Sequence, residues 1–205
     1  MKMKLLIIFS LITSFYSWSE ECIKGNCENG KGTFVTEGLK YVGDFNNGLP
    51  HGVGIFISND GTEFQGTFNK GQFEKGIFTY TNGDTYSGSW KNNKRHGSGV
   101  LTFKSGAVHD GEWENGEFVG GSVKYADGSS YLGEVKDNYE HGRGIYTSVN
   151  GGSIVGIFYE GSYVPELCDT IDKLSKTEDV APEEKMTFEE CGRYYVQKLM
   201  DERSN

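Results

Sequence analysis

The sequence predicts an all-β protein built as a tandem array of β-hairpins. Two observations carry that expectation. The first is a five-residue motif that recurs down the chain: Tyr41-Val42-Gly43-Asp44-Phe45, Phe64-Gln65-Gly66-Thr67-Phe68, Tyr86-Ser87-Gly88-Ser89-Trp90, His109-Asp110-Gly111-Glu112-Trp113, Tyr131-Leu132-Gly133-Glu134-Val135 and Ile154-Val155-Gly156-Ile157-Phe158, with starts 23, 22, 23, 22 and 23 residues apart. A fixed period in the twenties marks an array of supersecondary units. The second is a larger period of 45, shown by His51, His96 and His141, each followed by Gly-x-Gly.

One unit, residues 41–63, shows why each element forms. Tyr41-x-Gly43-x-Phe45 has the period of two that puts alternate side chains on one face of a strand. Asn46-Asn47-Gly48 then turns the chain, and His51 to Phe56 forms the return strand with Gly52, Gly54 and Phe56 on one face. Asn59-Asp60-Gly61 turns again toward the next unit.

Aligned, the return strands stack Phe34, Phe56, Phe78, Leu101, Val123 and Tyr146 in one column. Two residues earlier stands a column of Gly32, Gly54, Gly76, Gly99, Gly121 and Gly144. First strands contribute Phe45, Phe68, Trp90, Trp113, Val135 and Phe158. Large rings beside bare backbone let each ring lie over a neighbour's main chain, giving a seam that one hairpin cannot bury but a stack can. With the partial unit Asn29 to Phe34 at the start, about twelve strands are expected.

The chain has 205 residues, 30 glycines and only 3 prolines. Its N-terminus has the form of a secretory leader: basic Lys2 and Lys4, an apolar core Leu5 to Tyr16, and the small residues of Ser17-Trp18-Ser19, with cleavage expected after Ser19. The apolar core is shorter than the roughly 20 residues of a membrane span. A lipid anchor on Cys22 is opposed by Glu20 and Glu21 before it. The expected parts are a signal peptide over 1–19, the hairpin array over 20–164 and a C-terminal segment over 165–205, and the expected location is periplasmic or extracellular. Losing Lys2 and Lys4 leaves 18 basic against 29 acidic residues, a net of −11. That balance opposes nucleic acid and anionic membrane as partners, since both need a basic face.

All four cysteines, Cys22, Cys27, Cys168 and Cys191, lie beyond the leader. An even count in an exported chain predicts two disulfides, with three connectivities open. Cys22–Cys27, closing a tight loop through Gly25-Asn26, and Cys168–Cys191 are the favoured pairs. An oxidising compartment argues against a zinc site, and no Cys-x-x-Cys is present.

The motif Tyr-x-Gly-x-Trp/Phe, then Gly, His-Gly-x-Gly and Asp-Gly resembles the MORN repeat family over about residues 22–164. The resemblance implies an elongated, twisted, single-layer antiparallel sheet, and a role in binding, tethering or spacing without chemistry of its own. Family relatives carry attached kinase, methyltransferase or membrane-junction modules, and none is visible here. The second and fourth units depart from the pattern. Phe73-Glu74-Lys75-Gly76 and Phe118-Val119-Gly120-Gly121 replace the His-Gly-x-Gly segment and are one residue shorter. His109 and Ile154 stand where Tyr is usual, and Asn93 and Asn138 where Gly is usual.

Catalytic constellations are absent from the pattern. Successive repeat histidines are four strands apart, on the order of 19 Å at ordinary strand spacing, too far to share a metal ion. They are expected to be turn residues that cap backbone groups, and His109 a packed substitute for Tyr. Asp44, Glu112 and Glu134 alternate with the seam residues and are expected to be solvated. No cofactor, metal or catalytic residue is expected.

Beyond Val164, Leu167, Ile171 and Leu174 share a helical face, and Thr187-Phe188-Glu189-Glu190 has the form of a capping box before Phe188, Cys191, Tyr195 and Leu199. A small C-terminal α-helical hairpin covering the last strand is expected. The function expected is that of an exported binding, tethering or scaffold module for a protein or cell-envelope partner. Alternatives are a self-associating structural protein, as a homodimer or fibre, and a glycan-binding or glycan-active protein. The recurring Tyr41, Tyr86 and Tyr131 are the candidate groove-binding rings, although core packing is the favoured role of each.

Overall fold

A computed structural model of the chain describes residues 21–164 and, further on, Glu190, Cys191, Arg193 and Gln197. The described strands are β1 (Glu21–Gly25), β2 (Gly30–Val35), β3 (Leu39–Asn46), β4 (Leu49–Ser58), β5 (Glu63–Asn69), β6 (Gln72–Thr79), β7 (Thr85–Lys91) and β8 (Lys94–Thr102). They continue as β9 (Val108–Glu114), β10 (Glu117–Lys124), β11 (Ser130–Lys136), β12 (Tyr139–Thr147), β13 (Ser153–Tyr159) and β14 (Ser162–Val164). Together they make one open antiparallel sheet of 14 strands in sequence order. The expected count omitted β1, which the disulfide loop folds back, and the short β14.

The hairpin turns follow from residues that tolerate a left-handed backbone. Asn47 and Gly48 both have positive φ, 51° and 73°, as do Asp137 and Asn138 at 52° and 67°. That is the two-residue turn whose twist matches the flanking strands.

Two compact units divide the chain, one holding the strands up to Ser105 with Trp113–Gly116, the other Gly106–Glu112 and the chain from Glu117 onward. In the first, the glycines of both strand sets meet in one cross-strand ladder: Gly32 pairs with Gly43, Gly43 with Gly54, Gly54 with Gly66, Gly66 with Gly76, Gly76 with Gly88 and Gly88 with Gly99. A row of rings lies on one side of it, where Phe34, Tyr41, Phe56, Phe64, Phe78 and Tyr86 are successive partners. Tyr41, Phe64 and Tyr86 fold across the ladder. A methyl placed on Gly54 would lie 2.3 Å from Tyr41 Oη, and one on Gly76 would lie 2.8 Å from Phe64 Cζ. Edge-on ring pairs then fill the seam, with Tyr41 5.0 Å from both Phe45 and Phe68, and Tyr86 5.3 Å from Trp113. Burying such a ring contributes about 1.5–3 kcal/mol, and each ring pair about 0.5–1.5 kcal/mol more.

The second unit repeats the plan. Gly121, Gly133, Gly144 and Gly156 are successive partners, and Tyr131 lies over Gly133 and Gly144. Tyr163 covers Gly156 at the far end, 2.5 Å from a methyl placed there. At the near end of the first unit the sulfur of Cys27 does the same over Gly32, at 2.7 Å. The expected Cys22–Cys27 disulfide is present and seats that sulfur.

The segment His51-Gly52 is not a turn, as the sequence pattern suggested, but a bulge inside β4. Gly43 pairs with Gly54 and Phe45 with Pro50, so Asp44 faces three residues. The same shift occurs at Ser89 against β8 and beside Glu134 against β12. Opposite β5, β6 has only one extra residue, because Thr67 pairs with Lys75 and Phe68 with Phe73. The missing residue accounts for the alternation of 23 and 22.

The helical hairpin cap expected over 165–205 is not supported. Glu190, Cys191, Arg193 and Gln197 are helical, no longer helix is defined among the described residues, and the rest of that segment lies outside them. Cys191 is buried and disulfide-bonded; Cys168 lies outside the described residues, as does the leader over 1–19.

Candidate functional site

Tyr41, Tyr86 and Tyr131, the sequence candidates for groove contact, are 2 %, 0 % and 1 % exposed. Their hydroxyls meet main-chain carbonyls at the bulges: Tyr41 donates to Asp44 O at 2.9 Å, Tyr86 to Ser89 O at 3.1 Å, and Tyr131 reaches Glu134 O and His141 O at 3.0 and 3.1 Å. Burial, with the charges of Glu140 and Glu134, pushes the Tyr131 hydroxyl up to about 12. A ligand on the sheet surface therefore meets other rings.

The bulges also claim polar groups that the sequence left to solvent. Asp44 accepts the Val53 amide at 3.3 Å and pairs with Lys31 at 3.0 Å, and the Lys31 hydrogen bond holds its carboxyl below the usual range. Glu134 likewise accepts the Arg143 amide at 3.4 Å. Each carboxylate sits against a glycine in the left-handed region, Gly52 at φ 62° and Gly142 at φ 60°, where a side chain would be strained and crowded. Glu112 is exposed. His51, His96 and His141 are half-buried in three separate strands, β4, β8 and β12. His109 packs its ring 5.0 Å from Phe118, and the atoms nearest a methyl on Gly111 or Gly121 are main chain, so it does not roof its glycines as Tyr does. No group of three or more His, Cys, Asp or Glu is placed to hold a metal among the described residues.

Phe56, Phe73, Phe78 and Trp90 are left partly uncovered, packed on the first unit's core. They form one connected set: Phe56 to Phe73 at 6.1 Å, Phe73 to Phe78 at 5.9 Å, Phe78 to Trp90 at 5.3 Å, with Tyr80 4.6 Å from Phe78. Forty-five residues later the places of Phe56, Phe78 and Trp90 are taken by the aliphatic Leu101, Val123 and Val135. The break in period is the signal from which sequence reading would have found this surface.

Beside it, Asn69, Lys70, Gln72, Phe73, Glu74, Trp90, Lys91 and Asn92 line a cleft of about 330 Å³. It lies between the β5–β6 and β7–β8 turns. The two indoles of the first unit differ. Trp113 Nε1 donates to Gly99 O at 2.9 Å and its ring carries the Arg95 guanidinium at 4.2 Å. Trp90 Nε1 is buried without an acceptor.

A single sheet of sequential hairpins stacked on a glycine ladder defines a β-hairpin repeat protein. The MORN repeat family matches it at five consecutive stretches, residues 41–63, 64–85, 86–108, 109–130 and 131–153. These span 113 of the 205 residues, and the chain belongs to the MORN repeat family. The sixth unit read from the sequence, beginning at Ile154, lies beyond the matched stretches and supplies β13 and β14. No curated protein matches the chain.

Proposed function

We propose that this protein is a non-catalytic, exported MORN repeat protein that binds, tethers or spaces a protein or cell-envelope partner through the aromatic surface of its first three repeats. The observation that carries the proposal is the connected set Phe56, Phe73, Phe78, Tyr80 and Trp90, half-buried where the later repeat pair has aliphatic residues at three of the equivalent places. Part-exposed rings provide large contact area at low conformational cost, which suits them to recognition. A photo-crosslinking side chain at Gln72, on the rim, tests it in the native host. The expected result is one dominant adduct that Trp90→Ala diminishes. The same probe at Gln65, within β5 and outside the cleft lining, yields little. Equal labelling from both positions refutes the proposal.

Self-association has its own observation. On the opposite face of the second unit, Leu132 pairs with Ile145 and Ile145 with Val155, and the three are 55 %, 38 % and 67 % exposed. Such a row favours a second copy. Sedimentation velocity over a range of concentrations decides: a dimer that Leu132→Lys abolishes supports this reading, and a monomer throughout removes it.

A further inference from the structure

We infer that the cleft between the β5–β6 and β7–β8 turns binds an acidic pyranose, a sugar ring bearing a carboxylate; this rests on the binding role proposed above and names its ligand. Size comes first. At about 330 Å³ the cleft falls at the small end of ligand pockets and takes one or two sugar rings. A folded protein partner needs more than about 1,000 Å² of contact, which the cleft alone does not provide.

The walls fit a pyranose. Phe73 and Trp90 stand 5.5 Å apart at 71°, so a flat C–H face of a sugar can pack on one ring and meet the edge of the other. Asn69, Gln72 and Asn92 bring amides that both donate and accept, matching hydroxyls that do the same.

The charge selects the acid. Lys70 and Lys91 are exposed on the rim, and the Lys31–Asp44 ion pair lies elsewhere. Glu74 is the single carboxylate of the lining. In a chain of net charge −9 this is a local excess of cation. Two lysines thus face one carboxylate around a ring-lined cleft, and a carboxylated sugar complements that excess.

Trigalacturonic acid, titrated into the full chain and followed by indole fluorescence and by calorimetry, tests this. Its fully methyl-esterified form keeps the rings and removes the charge. Saturable binding is expected, at least about tenfold weaker for the ester and for the Lys70→Gln/Lys91→Gln double variant, and weaker with added salt. Trp90→Phe is expected to weaken binding severalfold while leaving far-UV dichroism unchanged, since Phe occupies the same column at Phe45 and Phe68. Equal affinity for acid and ester overturns the inference, as does no binding up to about 10 mM, or a hexaglutamate peptide binding as tightly. If the sugar fails while the Gln72 probe still captures a partner, the ligand assignment falls and the binding role stands; if both fail, both fall.

Discussion

Gly99→Ala is the sharpest perturbation of the glycine ladder. Gly99 is not in the left-handed region, so its backbone accepts alanine without strain. The added methyl would lie 2.2 Å from Tyr86 Oη, 2.5 Å from Cζ and 2.7 Å from Cε2. Relief requires the ring to retreat by about 1 Å, since ordinary carbon contacts begin near 3.5 Å. Retreat breaks the Tyr86 hydroxyl bond to Ser89 O at 3.1 Å and disturbs the edge contacts to Trp90 and Trp113 at 5.1 and 5.3 Å. Overpacking costs about 1–3 kcal/mol and the hydrogen bond about 1 kcal/mol, while the stiffer unfolded chain returns about 0.5 kcal/mol. The expected net is about 1.5–3.5 kcal/mol, read as a lower urea midpoint by indole fluorescence, because Trp90 and Trp113 flank the displaced ring. Gly38→Ala is the control, with nothing within 4 Å of its methyl and a change within about 0.5 kcal/mol expected. In a Tyr86→Ala background the cost of Gly99→Ala falls close to zero, a coupling a double-mutant cycle measures. If Gly99→Ala behaves like Gly38→Ala, or costs the same without the Tyr86 ring, the ladder does not work by ring-over-glycine packing.

The two indoles give a paired prediction: Trp113→Phe loses the bond to Gly99 O and the Arg95 contact and destabilises by about 1–2 kcal/mol, whereas Trp90→Phe is neutral or slightly stabilising in urea melts because its N–H has no acceptor. Reducing Cys22–Cys27, which closes a loop of sequence separation 5, costs about 2 kcal/mol. Hydrogen exchange should place that loss in β1 and β2, where Cys27 covers Gly32, with the distant strands still protected. Alkali should unfold the array. Tyr131 is raised from 10.0 to about 12 in the folded state, so its stabilisation is complete below pH 10 and declines as the pH rises from there to about 12. Absorbance of tyrosinate and far-UV dichroism should change together there, and ionisation of all tyrosines near 10 with the sheet intact would contradict the burial. Asp44→Asn should remove part of the acid sensitivity. Its folded-state value is depressed, so its contribution is present above the ordinary 3.8 and is lost as the pH falls through the lower folded value.

Much of the architecture was legible because it is written locally. A strand's period of two, a turn's demand for positive φ and the recurrence of both every 22 or 23 residues all lie within one hairpin. Asn47-Gly48 announces its turn whatever surrounds it, and Cys22 and Cys27 are close enough in sequence to pair. The His-Gly segment was misplaced for the opposite reason. A bulge is a relation between two strands, and only the register of Asp44 against β4 separates it from a turn. The tyrosine candidates show the same limit. Their recurrence every 45 residues favours a repeated core but also allows a repeated contact, and burial decides for the core.

The sequence alone therefore determined the hairpin unit, its number of copies, the columns of rings and glycines and the family to which they belong. Only the tertiary structure decided that the two glycine columns merge into a ladder in each unit, that Cys27 and Tyr163 each cover an end glycine, and that Phe56, Phe73, Phe78 and Trp90 are left partly open. The physical reason is that exposure belongs to a neighbourhood. A ring is hidden or presented according to what the adjacent strands place over it, and that sum over neighbours is formed only when the strands are set side by side.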